Sequence, residues 1–188
     1  MGRKLKRVFL ITMTIVISCS LINVVEHLIR GYFHCPKKSS FASRGTGWVF
    51  TEESSESGKP IQVNFSGEKS HYVFKINGSR DGVRGKIELN GIELFQNNNE
   101  FLGILRKDEE CFDASLSIEN IDLFIAEDVK SFILIYENSV EDIFDIGESG
   151  TVLIVYPASS QEYALNILSE TSPKSVALQQ RLQELDWK

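Results

Sequence analysis

The sequence predicts an α+β fold: a mainly antiparallel β-sheet, a meander with hairpins, packed by C-terminal helices and preceded by an apolar N-terminal helix. A β-sandwich with an appended C-terminal helix is the alternative. Three observations carry the prediction. Apolar residues recur with period two from Trp48 to about Phe112, the Asn-Gly and Asp-Gly dipeptides between them are turn formers, and the last thirty or so residues switch to helical spacing.

The chain divides into three segments: residues 1–25 as a membrane anchor or lipoprotein signal, 26–47 as a juxtamembrane stalk, and 48–188 as the β-rich domain. The first opens with Arg3, Lys4, Lys6 and Arg7 and then stays uncharged until Glu26. Basic residues ahead of an apolar run are a targeting signal, and positive charge kept on the cytoplasmic side sends the rest of the chain outside. The expected location is the cell membrane, single-pass or lipid-anchored, with the main domain extracytoplasmic.

Residues 8–25 as a helix reach about 27 Å at ~1.5 Å per residue, near the ~30 Å of a bilayer core. An uncleaved anchor ranks first on that fit. Val16-Ile17-Ser18-Cys19 resembles the end of a bacterial lipoprotein signal, which makes Cys19 the candidate lipidation site. The sequence after Cys19 stays apolar, unlike the polar leader of most lipid-tethered domains, and secretion after ordinary cleavage lacks an A-x-A-like site. With Cys19 in the membrane, Cys35 and Cys111 are the remaining pair, and outside the cytoplasm they are the candidate disulfide.

Residues 26–47 run from amphipathic to polar and hold Pro36, Lys37 and Lys38, which reads as a linker. Strand patterns then come in sequence: Ile61, Val63 and Phe65; Tyr72, Phe74 and Ile76; Ile87 and Leu89; Ile92 and Leu94. Each set marks one buried face of a sheet. Asn90-Gly91 between the last two supplies the positive φ values of a type I′ hairpin, while Asn77-Gly78 and Asp81-Gly82 mark further turns. SFILIYE, residues 131–137, and TVLIVYPA, residues 151–158, are nearly continuous apolar runs, as expected of central strands covered on both faces.

Ser159 followed by Glu162 has the form of a capping box and predicts a helix start. Ala164, Ile167 and Leu168 share one helical face. Pro173 is permissible at a first helical position, and Leu178, Leu182 and Leu185 form a second stripe.

The segments SFILIYE and SGTVLIVYPASSQEYALNIL resemble a group of small, uncharacterised exported or membrane-anchored, lipoprotein-like proteins of low-GC Gram-positive bacteria. In that group an aromatic-rich strand, an acidic loop, an aliphatic strand ending in Pro-Ala and an "EA"-type helix recur. Tyr163 between Glu162 and Ala164 departs from the pattern. The resemblance covers about a quarter of the chain and implies location and topology without any activity.

Charge narrows the partners. Residues 1–44 carry net +7 and residues 45–188 net −13, so the main domain is repelled by phosphate backbones and nucleic acid is excluded as its partner. The basic end meets the membrane. His27, His34 and Cys35 lack the further ligands a zinc site needs, and His71 is expected at the surface. No G-x-S-x-G, S-x-x-K or Gly-rich phosphate loop occurs, so no catalytic residue, metal or cofactor is assigned. Asn64-Phe65-Ser66 and Asn77-Gly78-Ser79 match the glycosylation acceptor pattern, which strand and turn positions explain equally well.

The function expected is a membrane-tethered, non-catalytic binding module that contacts an envelope protein or polymer. The alternative is an envelope enzyme or metal-dependent sensor that gathers Asp113, Glu141, Asp142, Asp145 and Glu148 from separate loops.

Overall fold

The computed structural model describes residues 2–33, 35–51, 58–73, 79–94, 100–106, 109–114, 121–137 and 150–187. The chain divides into two compact units, one made of Met1–Lys37 and Tyr72–Ser79, the other of Lys38–His71 and Arg80–Lys188.

In the first unit a continuous helix, α1, runs Gly2–Phe33. Within it Ile11–Ile29 is long and apolar enough to cross a membrane or to serve as a signal sequence, and its side chains are exposed. The helix continues past residue 25, because nothing before Pro36 breaks it.

Among the described residues the second unit holds nine strands, the first of which starts one residue before it: β1 (Lys37–Thr51), β2 (Lys59–His71), β3 (Gly82–Leu89), β4 (Ile92–Glu93), β5 (Phe101–Leu105), β6 (Cys111–Asp113), β7 (Ile121–Ala126), β8 (Phe132–Glu137) and β9 (Thr151–Tyr156). Their order is β2-β1-β9-β8-β7-β6-β5-β3-β4, and β2 also pairs with β3. The meander therefore closes. Chain order and ring order coincide, so this is an up-and-down barrel of eight strands with β4 as an extra piece. The antiparallel β-sheet and the C-terminal helices agree with expectation; closure goes beyond an open meander and, among the described residues, leaves no second sheet to make a sandwich.

The other ring pairings are antiparallel, and in a ring of eight that parity makes β1 and β2 antiparallel too. β2 takes one side of β3 along its length, so the Leu89–Ile92 and Gly85–Phe101 pairings put β4 and β5 both on its other side. Asn90 (φ 51°) and Gly91 (φ 84°) form the β3–β4 turn with positive φ at both central positions, as their dipeptide requires.

Alternation sorts the side chains. Val63, Phe65, Ile87, Leu89, Phe101, Phe112, Leu123, Phe132, Ile154 and Tyr156 fill the barrel interior. Phe65 is central there: its ring lies 4.8 Å from Phe41, 5.0 Å from Phe132 and 5.9 Å from Phe101. The opposite faces of β1, β7, β8 and β9 carry Phe50, Phe124, Ile133, Ile135, Leu153 and Val155, which pack beneath two C-terminal helices. This double burial is why residues 132–135 and 151–156 show no polar alternation.

Those helices are α2 (Gln161–Thr171) and α3 (Val176–Glu184), joined by a 3-10 turn at Ser172–Lys174 that contains Pro173. The α2 cap is Ser160, one residue later than the expected Ser159: its Oγ accepts from the Tyr163 N–H at 3.2 Å. Ser175 Oγ caps α3 through the Leu178 N–H. Ala164, Ile167, Leu178 and Leu182 are buried, and Leu168 and Leu185 pack partly, so both expected stripes dock.

Residues 38–47, read as part of a linker, are barrel strand. Their inward positions are Phe41, Ser43, Gly45 and Gly47, of which only the first is apolar and large, so no period-two apolar pattern registers. At Gly47 the reason is steric, since a Cβ there would lie 3.1 Å from Val63 Cγ2, whereas one on Gly45 would make ordinary contact with Tyr156 Oη at 3.4 Å. Asp81-Gly82 is no turn. Gly82 pairs with Ser70 and Ile104, and the Asp81 carbonyl accepts from Leu105 N–H, so the dipeptide is bound into the sheet. Phe74, Ile76 and Asn77-Gly78 lie outside the described residues.

Candidate functional site

With aromatic side chains packed inside the barrel, the openings described next lie on its outer surface. A cleft of about 710 Å³ lies between the β7–β8 turn and the α2 and 3-10 segments, and its lining includes Lys69, Glu110, Glu127, Lys130, Tyr163 and Lys174.

The turn that forms one wall is clamped from within. Lys69 lies four residues after Phe65 on β2 and so faces the same way, into the barrel mouth. Its Nζ donates to the Glu127 carbonyl at 2.6 Å and stands 5.5 Å from the centre of the Phe112 ring, a cation–π distance. Val129 occupies φ 53°, a left-handed conformation that β-branched residues rarely adopt. Its side chain packs against the interior cluster. The turn therefore presses an apolar residue into the barrel, and its backbone strain accompanies that contact.

Nothing in the sequence flags Val129, since αL positions are normally read from Gly or Asn. Lys69 is equally hidden, because a lysine on an alternating strand looks like a solvated residue until the closed barrel gives it a ring to lie over.

The cleft mixes charges. Lys69, Lys130 and Lys174 stand among Glu110, Glu127, Asp128 and Glu170, and among the described residues no ion pair engages Lys174, Glu110 or Glu127. Charges of both signs left open suit a polar or zwitterionic surface; among the described residues no group of three or more His, Cys, Asp or Glu is placed to hold a metal ion.

Outside the cleft's lining, His71 Nδ1 and Asp81 Oδ2 are 2.9 Å apart. Asp81 is 2% exposed and His71 is about half exposed, so the imidazole is at the surface as expected and is oriented by a buried carboxylate that spacing did not suggest. Asp113 is taken up by Arg106 at 2.6 Å, while Glu141, Asp142, Asp145 and Glu148 lie outside the described residues.

All three cysteines are free thiols, Cys19 and Cys35 exposed and Cys111 buried. Burial pushes the Cys111 thiol up to about 11; Lys174 opposes the shift and Glu109 and Glu110 add to it. Cys111 is thus a neutral wall residue at pH 7. His27 is exposed on α1, and His34 lies outside the described residues. Asn64 Nδ2 donates to Glu88 Oε2 at 2.7 Å, which ties that acceptor side chain to the neighbouring strand. Comparisons with family models, curated proteins and solved structures find no match.

Proposed function

We propose that this protein is a membrane-tethered binding module whose barrel stands outside the cytoplasm and recognises an envelope protein or polymer through its outer surface. One observation carries the reading: Phe65, Phe101, Phe132 and Tyr156 occupy the barrel interior, where barrels that carry a small ligand keep a cavity. The open mixed charges of the outer cleft support it, as does the separation of the His71–Asp81 pair from that cleft's lining.

α1 supplies the tether, as an uncleaved anchor or, after cleavage and acylation, through a lipid on Cys19. Intact mass after membrane extraction separates the two: a full-length unmodified chain in the first case, a chain starting at Cys19 with added diacylglycerol in the second. Topology is read with a membrane-impermeant maleimide on intact cells, which labels exposed Cys35 if the barrel is outside and labels it only after lysis if the reading is wrong. Recognition is read with a photo-crosslinker in place of half-exposed Tyr163. A discrete envelope adduct that is lost on Lys174→Glu supports the module; an adduct pattern indifferent to that charge counts against it.

A further inference from the structure

We infer that the N-terminal half of β1 is an open strand edge that receives an extended acidic segment of a partner protein. The inference rests on the reading of the barrel as a binding module and names a second surface of it and the chemistry of its partner.

The edge arises from closure itself. Eight strands close only with a stagger, so a long strand overhangs its shorter neighbour. β1 has 15 residues, yet β9 pairs with it only over Trp48–Thr51, with one further bond from the Ala158 N–H to the Thr46 carbonyl. There the chain turns away through Pro157 into α2. Residues 38–45 consequently have β2 on one side, and among the described residues no backbone bond crosses their other side.

The Thr46 carbonyl faces β9. In an extended strand the backbone groups of alternate residues face the same way, so those of Lys38, Ser40, Ala42 and Arg44 face the open side. All four residues are exposed. A strand that docks here completes their bonding, the main-chain recognition of β-augmentation.

Charge selects the partner. Residues 37–47 include Lys37, Lys38 and Arg44 and no carboxylate; Glu68 of β2 engages Lys38 at 3.0 Å, while among the described residues no ion pair engages Arg44. A second copy pairing antiparallel about Phe41 sets Lys38 opposite Arg44, like charge against like, which disfavours self-association. An acidic strand reverses the sign. Lys38 and Arg44 lie on the outer face and half-buried Phe41 on the inner, midway between them, so the complementary pattern is Glu-x-x-apolar-x-x-Glu without proline.

The test uses the full chain in detergent micelles and the capped peptide TETTVTTET, with TKTTVTTKT as the charge control, read by residue-resolved amide hydrogen exchange. The acidic peptide is expected to slow exchange at Lys38, Ser40, Ala42 and Arg44 by about tenfold or more, and the basic one to leave it unchanged. Ala42→Pro removes an N–H that only the open side uses, so protection is lost while the barrel amides of β2 and β3 stay protected. Arg44→Glu keeps the backbone and shifts the preference toward the basic peptide; it carries the test by itself if the proline variant does not fold. No protection by either peptide, equal protection by both, or these amides already protected in the free chain overturns the inference. The Tyr163 crosslink is independent of all these variants, so a failed edge with an intact crosslink leaves the binding module standing.

Discussion

The Arg181 guanidinium donates from Nε to Asp122 Oδ2 at 2.7 Å, which fastens the last helix to the barrel wall. The same side chain reaches Glu137 on β8 and, at 3.0 Å, Glu184 on its own helix. Burial works against its charge, but the bonds to Glu184 and Asp122 and the charge of Glu137 outweigh it and hold the pKa above the ordinary value. Arg181→Met leaves Asp122 and Glu137 without their cation and is expected to cost about 1–3 kcal/mol. Thermal unfolding measures this. In a cycle with Asp122→Asn the double variant should lose less than the sum of the singles, since both remove one bond; additive losses would mean the contact contributes nothing.

Gly67 and Gly85 face each other across β2 and β3, and neither has room for a side chain: a Cβ on either would meet a cross-strand carbonyl at 2.1 Å, and one on Gly85 would also reach Phe101 at 3.0 Å. Gly85→Ala is expected to destabilise by roughly 2–4 kcal/mol. Gly82→Ala on the same strand, where the nearest atom is the Gly103 carbonyl at 3.4 Å, is the control and should stay within about 1 kcal/mol. Equal losses at the two positions would show that the close approach does not matter.

Cys111 gives a pH signature. Its folded pKa, about 11, lies above the ordinary 9.0, so the folded chain keeps a proton that the unfolded chain releases. The stabilisation is complete below about pH 9 and is lost as pH rises from there through 11, roughly 2–3 kcal/mol in all. Denaturant midpoints across that window should fall less steeply in Cys111→Ala than in the parent. At neutral pH a maleimide should modify Cys35 quickly and Cys111 at a rate set by unfolding.

Lys69→Met keeps the stem over Phe112 and removes both the cation and the bond to the Glu127 carbonyl. The expected cost is about 1 kcal/mol, with faster amide exchange confined to residues 126–131. Unchanged exchange there would mean that Val129 alone holds the turn.

Periodicity and turn chemistry act between near neighbours, and the features that depend on them were legible in the sequence. Ile61, Val63 and Phe65 announce their strand, Asn90-Gly91 its hairpin, and Leu178 and Leu182 the buried stripe of the last helix. The uncharged stretch of α1 is similarly readable, because length and apolarity are additive properties of a segment. Tertiary structure decided the rest, for reasons of distance along the chain. Closure of the meander, which makes Gly47 a strand position with no room for a side chain, brings in Val63, remote in sequence. His71 meets Asp81 only because β2 and β3 pair, Lys69 finds the Phe112 ring only inside a closed barrel, and Val129 takes a left-handed backbone because a barrel mouth lies beneath it. The open edge of β1 is a difference between the lengths of two strands that meet from opposite ends of the domain, and no local pattern encodes a difference of that kind.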